Sequence, residues 1–451
     1  MMTAIIVTVV VMLAIATMKA SSNTSEHFES ITSIASRFNK GYALIGGLRA
    51  ISREFSYRNA LVVGPSGSGK TSTVLYGVLN STMRGNSSLC VLDISGEIYQ
   101  HYSKYLSQKA KIYKIDFSET SDGFNPIEAY GNSISAIQKL AAILIKNSGI
   151  AGSGEPYWAS SAEKIIVVMI QLLWYEEAQF RTMLNLVRML EVFAGEPKKI
   201  DIRVIKTKDE DLMAMYKSII ATPDKTLQSS ISTALVALKI FRNPEVARVT
   251  AQSTFHFRTF RKEKSILFIN IPVMDAPFMA PFAATLFEEL FKVILERIPE
   301  KSEASIFCIL DEMATLRFQN LGIVYANIRK YNAGCLGIIQ DLDMLKMTWS
   351  AAEVQAILTN SYSKVFLPGQ PHGTCKLLED MLGKDATHKP SMTASEIRTT
   401  SDALIFVGNL KPMKERPIPF YDHWLLSGRA AQGAFLQERK ILFDTPPLLQ
   451  F

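Results

Sequence analysis

The strongest constraint on the fold is the octapeptide Gly64-Pro-Ser-Gly-Ser-Gly-Lys-Thr71, which fits the pattern GxxxxGK followed by Ser or Thr. It follows the apolar run Ala60-Leu-Val-Val63 directly and leads into a helix-compatible segment. A glycine-rich turn between a buried strand and a helix lets the backbone wrap closely around phosphate, with main-chain N–H groups and the helix N-terminus supplying partial positive charge. On this reading Gly64, Pro65, Ser66, Gly67, Ser68 and Gly69 form the cradle, and Ser72 extends it. Lys70 is the residue expected to reach the β- and γ-phosphates of ATP, and Thr71 the one expected to ligate Mg2+. A strand–loop–helix of this kind belongs in a parallel α/β sheet.

Short apolar runs recur at 60–63, 89–92, 111–115, 266–271, 306–310, 336–339, 364–367 and 404–407. They are rich in β-branched residues and lack alternation, which suits strands buried on both faces of a sheet. Helical stretches such as 281–298 lie between some of them and complete a βαβ rhythm. From about 131 to 250 the periodicity is helical, and strand signal almost vanishes. Ile134, Ile137, Ala141, Leu144 and Ile145 share one helix face, and further helices are expected at 161–174, 181–192, 209–220 and 228–241. The predicted fold is therefore an α/β P-loop NTPase of the RecA-like class. Its mostly parallel sheet is split into 41–130 and 251–425 by an all-α domain at 131–250, and a C-terminal tail follows at 426–451.

The chain has 451 residues, 48% of them hydrophobic, enough for a large core and one membrane segment. Residues 1–20 are almost wholly apolar and carry no charge before Lys19, which predicts a single transmembrane helix. A cleaved signal peptide is the rival reading, but it normally requires a basic start that is missing here. Lys19, Arg37 and Lys40 follow the segment, so the positive-inside rule places the body in the cytoplasm, against the inner membrane. Residues 21–40 read as a polar linker. The four cysteines, Cys90, Cys308, Cys335 and Cys375, form no CxxC pair; three lie in apolar runs, as reduced core residues would. A formal charge of +7 permits a polyanionic partner without demanding one.

A phosphate loop of this type needs a carboxylate at the end of a neighbouring strand to hold the metal and polarise water. Ser305-Ile-Phe-Cys-Ile-Leu-Asp311-Glu312 supplies two. Asp311 is the expected magnesium partner through its water shell, and Glu312 the expected general base. An ordinary strand exit ending in two acids is the bland alternative, and the loop elsewhere in the chain argues against it. Lys70 and Asp311 stand 241 positions apart, a gap for which the helical insertion accounts.

Further segments follow in order: Val91-Leu-Asp93-Ile-Ser-Gly96-Glu97-Ile-Tyr99, Gly123-Phe-Asn125-Pro126, Tyr157-Trp158, Asp311-Glu-Met-Ala-Thr-Leu316, Arg329-Lys-Tyr-Asn332, Ile-Ile-Gln340, Leu382-Gly383 and Ala394-Ser-Glu396-Ile-Arg398. This ordered set, over about residues 41–421, resembles the type IV secretion coupling proteins, the TraG/TraD-like conjugative DNA-transfer ATPases. The resemblance implies a membrane-anchored homo-oligomer, usually a hexameric ring, that hydrolyses ATP with Mg2+ and feeds single-stranded DNA with its relaxase into a type IV secretion channel. It also implies that Gln340 senses the γ-phosphate, for which strand-tip convergence offers a physical reason. Arg329 is the candidate arginine finger, delivered across a ring interface, with Arg258, Arg261 and Arg248 as other candidates.

The chain departs from the family pattern in two places. Ile94 and Ser95 replace a proline and a lysine after the second strand, leaving Asp93 and Glu97 with a weaker expected role near nucleotide. Only one membrane segment is apparent where two are common. Two other functions stay open, a receptor for secreted effector proteins and a double-stranded DNA translocase. The stretch Arg258 to Lys264, with Phe255, Phe257 and Phe260 interleaved, looks like a base-stacking surface, but core packing with snorkelling cations is the favoured account.

Overall fold

A computed structural model describes residues 28–149, 156–272, 274–316, 318, 320–384, 388–436 and 445–451. The expected transmembrane helix at 1–20 lies outside them. Among the described residues no helix is long and apolar enough to cross a membrane.

Among the described residues nine strands form one sheet: β1 (Ala60–Val63), β2 (Ser87–Leu92), β3 (Lys111–Ile115), β4 (Ser265–Ile269), β5 (Ser305–Leu310), β6 (Ala333–Ile339), β7 (Ser363–Phe366), β8 (Ala403–Val407) and β9 (Met413–Glu415). The spatial order is β3-β4-β2-β5-β6-β1-β7-β8-β9. All pairings from β3 to β7 are parallel. Each of the eight apolar runs falls on a strand. Along β1, Leu61 and Val63 pack into one layer while Ala60 and Val62 pack into the other, which is why no polar alternation marks the sequence.

Two features differ from a wholly parallel sheet. β8 runs antiparallel to β7, and β9 antiparallel to β8. The short link from Val407 to Met413 allows only a hairpin, and antiparallel edge strands are common on otherwise parallel sheets. Residues 28–40, within the stretch read as a linker, pack on this edge: Glu29 N–H donates to Pro412 O, and Ile31 N–H to Glu415 Oε1 at 2.7 Å. Ile31 and Ala35 are buried there, which two apolar residues among serines did not announce.

Helix α1 (Tyr76–Thr82) follows the phosphate-loop segment, and α2 (Glu97–Ser107) follows β2. Between β3 and β4 the chain is helical, with α3 (Ile134–Asn147), α4 (Pro156–Trp174), α5 (Met183–Gly195), α6 (Pro197–Thr207), α7 (Glu210–Ile220) and α8 (Asp224–Ala237) as its main elements. Side-chain caps fix several starts: Ser133 accepts from Ala136 N–H, Thr182 from Asn185 N–H and Asp209 from Leu212 N–H. The apolar faces of these helices merge with one face of the sheet into a single core. Helix α9 (Ala276–Leu295) lies against it, starting five residues before the expected point and carrying Pro281 inside.

Cys90, Cys308 and Cys335 are register neighbours on β2, β5 and β6. All three are fully buried, and burial pushes the thiols of Cys90 and Cys335 well above their ordinary range, so those two stay protonated. Phe255, Phe257 and Phe260 are likewise buried, with ring centroids 5.4–5.5 Å apart along the series. The aromatic–basic stretch is core, and presents no stacking platform.

Candidate nucleotide site

Strands β5, β6, β1 and β7 are consecutive and parallel, so their C-terminal tips line up at intervals of about 4.8 Å. Each tip delivers a segment rich in chemistry: Asp311-Glu312 after β5, Gln340 after β6, the glycine loop after β1 and Leu367 to Gln370 after β7. Two strand steps therefore separate Lys70 from Asp311 in space.

The loop begins with Gly64 N–H donating to Ile339 O at 3.0 Å, which pins it to β6. Gly67 and Gly69 have φ of +79° and +85°, the left-handed region where a side chain would be strained. Lys70–Leu75 forms one wide helical turn before α1. The Lys70 ammonium donates to Gly64 O at 2.7 Å and Pro65 O at 3.1 Å, which holds it across the mouth of the loop. Burial lowers its pKa, opposed by the charges of Glu312 and Asp311. Ser68 Oγ is buried with no hydrogen-bond partner.

Opposite the loop, Asp311 is only 8% exposed. Its carboxyl is pushed up to about 7, first by burial and then by Asp93 and Glu312, with Lys70 opposing. Glu312 adopts φ +53°, a left-handed conformation that costs a non-glycine residue about 1–3 kcal/mol. Gln340 Nε2 donates to Glu312 Oε2 at 2.9 Å, while Glu312 Oε1 is buried without a partner. One carboxylate oxygen is thus fixed, and the other is unpaired among the described residues.

Other expected residues fall elsewhere. Asp93 is fully buried and accepts from Tyr99 N–H at 2.8 Å and Ile98 N–H at 3.4 Å; it caps α2. Burial lifts its carboxyl to about 6 despite those bonds. Glu97 is exposed beside His101. Arg329 is exposed just before β6, at the sheet edge opposite the strand tips and about 20 Å from Gln340 along the strand, so it does not join its own chain's site. As a finger, Arg261 is excluded by packing: it is buried and donates to Ala304 O and Tyr331 O. Arg258 is paired with both carboxylate oxygens of Glu296, and Arg248 donates to Phe117 O.

Sequence reasoning missed Gln370. This buried residue donates from Nε2 to Val63 O at 2.9 Å and Leu367 O at 2.7 Å, fastening the tip of β1 to that of β7; its Oε1 has no partner. The signal was an amide placed after a strand and a Pro-Gly pair, the same logic that picked out Gln340.

The family model described as "Type IV secretory system Conjugative DNA transfer" matches residues 15–407. The chain belongs to this conjugative DNA-transfer family. Protein VirD4 of Rhizobium radiobacter is 23% identical over 72% of this chain and 48% of its own length. Conjugal transfer protein TraG of Escherichia coli is 19% identical over 76% of this chain and 58% of its own. The chain thus spans about half the length of these curated relatives. Among solved structures, the bacterial conjugative coupling protein TrwBdeltaN70 has a TM-score of 0.67 at 17% identity, covering 87% of this chain and 93% of that one. Plasmid coupling protein TrwB in complex with ADP and Mg2+ has a TM-score of 0.67 at 16% identity, again covering 87% and 93%. This likeness shows that the chain has the fold of these coupling proteins.

Proposed function

We propose that this chain is a membrane-anchored ATPase that couples ATP hydrolysis to delivery of single-stranded DNA, carried with its relaxase, into a type IV secretion channel. The observation that carries the reading is the convergence of Lys70, Asp311 and the Glu312–Gln340 pair on the strand tips of a family-matched sheet. A triphosphate with Mg2+ fits these residues. The glycine loop and the unpartnered Ser68 hydroxyl suit phosphate oxygens. Thr71 and Asp311 would hold the cation, whose charge would keep the buried Asp311 ionised and neutralise phosphoryl oxygens.

Within that site Lys70 exchanges its carbonyl partners for phosphate oxygens. Glu312 accepts a proton from the attacking water through its unpartnered oxygen, while Gln340 holds the other oxygen and is placed to respond to the γ-phosphate. The water oxygen bonds to the γ-phosphorus, the β–γ bridging bond breaks, and ADP and phosphate leave. Arg329 enters only in trans, from a neighbouring copy in a ring of this chain, and mixed rings of Arg329→Ala and Lys70→Ala chains should regain part of their activity. Anchoring through residues 1–20 sets the body on the cytoplasmic side of the inner membrane.

The test is ATP hydrolysis by the full chain in detergent with no nucleic acid, with single strands and with duplex, at two salt concentrations. Salt-sensitive stimulation by single strands is expected, because neutralised phosphates recapture counterions as salt rises. Stronger stimulation by duplex would favour a double-stranded translocase, and indifference to both would favour a receptor for effector proteins.

A further inference from the structure

Residues 445–451 lie against the helical insertion, more than 240 positions from Asn185 and Arg203, which hold them. Asn185, a fully buried residue of α5, accepts from Leu449 N–H at 2.9 Å through Oδ1 and donates to Pro447 O at 2.8 Å through Nδ2. One amide thus reads the backbone of residues i and i+2, as a neighbouring strand would. Its own orientation is set by a second bond from Nδ2 to Phe180 O at 3.0 Å. Side chains alternate accordingly: Leu449 is 3% exposed, while Leu448 and Gln450 point outward. Arg203 of α6 stacks 4.7 Å over the Phe451 ring, bonds Gln450 O, and is anchored by Glu176. Pro446 and Pro447 limit the conformations lost on docking.

The groove is larger than its contents. Beside Phe451 it continues as an open cavity of about 420 Å³ lined by Leu172, Tyr175, Ile202 and Lys206 among others. Tyr175 and Ile202 are 54% and 53% exposed, apolar surface that the segment leaves uncovered.

We infer that this groove is a binding site for extended peptides of the pattern Pro-x-Leu-x-aromatic, and that residues 447–451 are its occupant in cis, displaceable by a partner segment of the same chemistry. Backbone pairing to Asn185 supplies a sequence-independent contact, the pocket around Leu449 selects an aliphatic side chain, and Arg203 selects an aromatic ring.

A fluorescently labelled peptide with the sequence of residues 445–451 is titrated by anisotropy against the full chain carrying Leu449→Asp and Phe451→Ala, which vacates the groove. Saturable binding is expected, about tenfold or more tighter than to the wild-type chain, whose own segment holds the site in most molecules. A peptide carrying Leu449→Asp should not bind, and Asn185→Ala in the vacated chain should remove binding while its cooperative melt persists. If the vacated chain does not fold, excess peptide added to the wild-type chain must speed amide exchange at residues 448–451. Equal binding to wild-type and vacated folded chains, binding indifferent to the Leu449 change in the peptide, or exchange unmoved by peptide overturns the inference.

Discussion

The strand tips and the helical insertion are built to different specifications. At the tips, polar atoms are buried without partners, Glu312 is held in a left-handed conformation and a carboxyl is lifted towards neutrality. In the insertion, α3, α5 and α7 start on side-chain caps and their core-facing residues are buried, although Lys208 has φ +57° and Gln171 Oε1, Trp174 Nε1 and Arg188 Nε are buried without partners. What sets the tips apart is that the left-handed Glu312, its unpartnered oxygen and the raised Asp311 carboxyl stand together beside the glycine loop, the combination on which the proposed nucleotide site rests. The insertion is organised around its buried core, and the groove proposed to bind a peptide lies on its surface.

That contrast can be broken by substitutions on each side. Lys70→Ala should take ATP hydrolysis below detection while the chain still unfolds cooperatively, with about 1–2 kcal/mol of stability lost with its two carbonyl bonds. Hydrolysis that survives would place the chemistry elsewhere. Leu190→Ala, in the core of α5, should do the reverse: about 2–5 kcal/mol lost in denaturant unfolding, with turnover per folded chain retained. Gln340→Ala should slow turnover by about tenfold to a hundredfold and lower stability by about 1–3 kcal/mol, because it leaves the part-buried Glu312 oxygen unpaired. The smallest effect belongs to Asp209→Ala, which removes the cap of α7 and should lower stability by about 1 kcal/mol. A larger loss in chemical denaturation would show that the caps carry more than local order.

How far each region could be read beforehand follows the same division. Buried parallel strands announce themselves locally, so the runs at 60–63 and 306–310 lie on β1 and β5, and the motifs at their ends come with them. β9 went unseen because three residues with an exposed lysine in the middle carry no pattern. Helix α6 was missed because only Ile200 and Val204 of its charged sequence are buried. Gln370 and the row of cysteines depend on which strands become neighbours, a tertiary fact without a local signature. Asp93 reads locally as an acid at a strand tip, yet the turn at Gly96 folds the chain back so that its carboxylate caps α2.

The most direct test of the account is nucleotide retention by Glu312→Gln. The chain is loaded with ATP and Mg2+, passed through gel filtration and assayed for bound nucleotide. The account predicts intact ATP on Glu312→Gln, ADP or nothing on the wild type, and nothing on Lys70→Ala. ATP turned over normally by Glu312→Gln, or retained equally by Lys70→Ala, would contradict the assignment of the strand tips as the hydrolytic site.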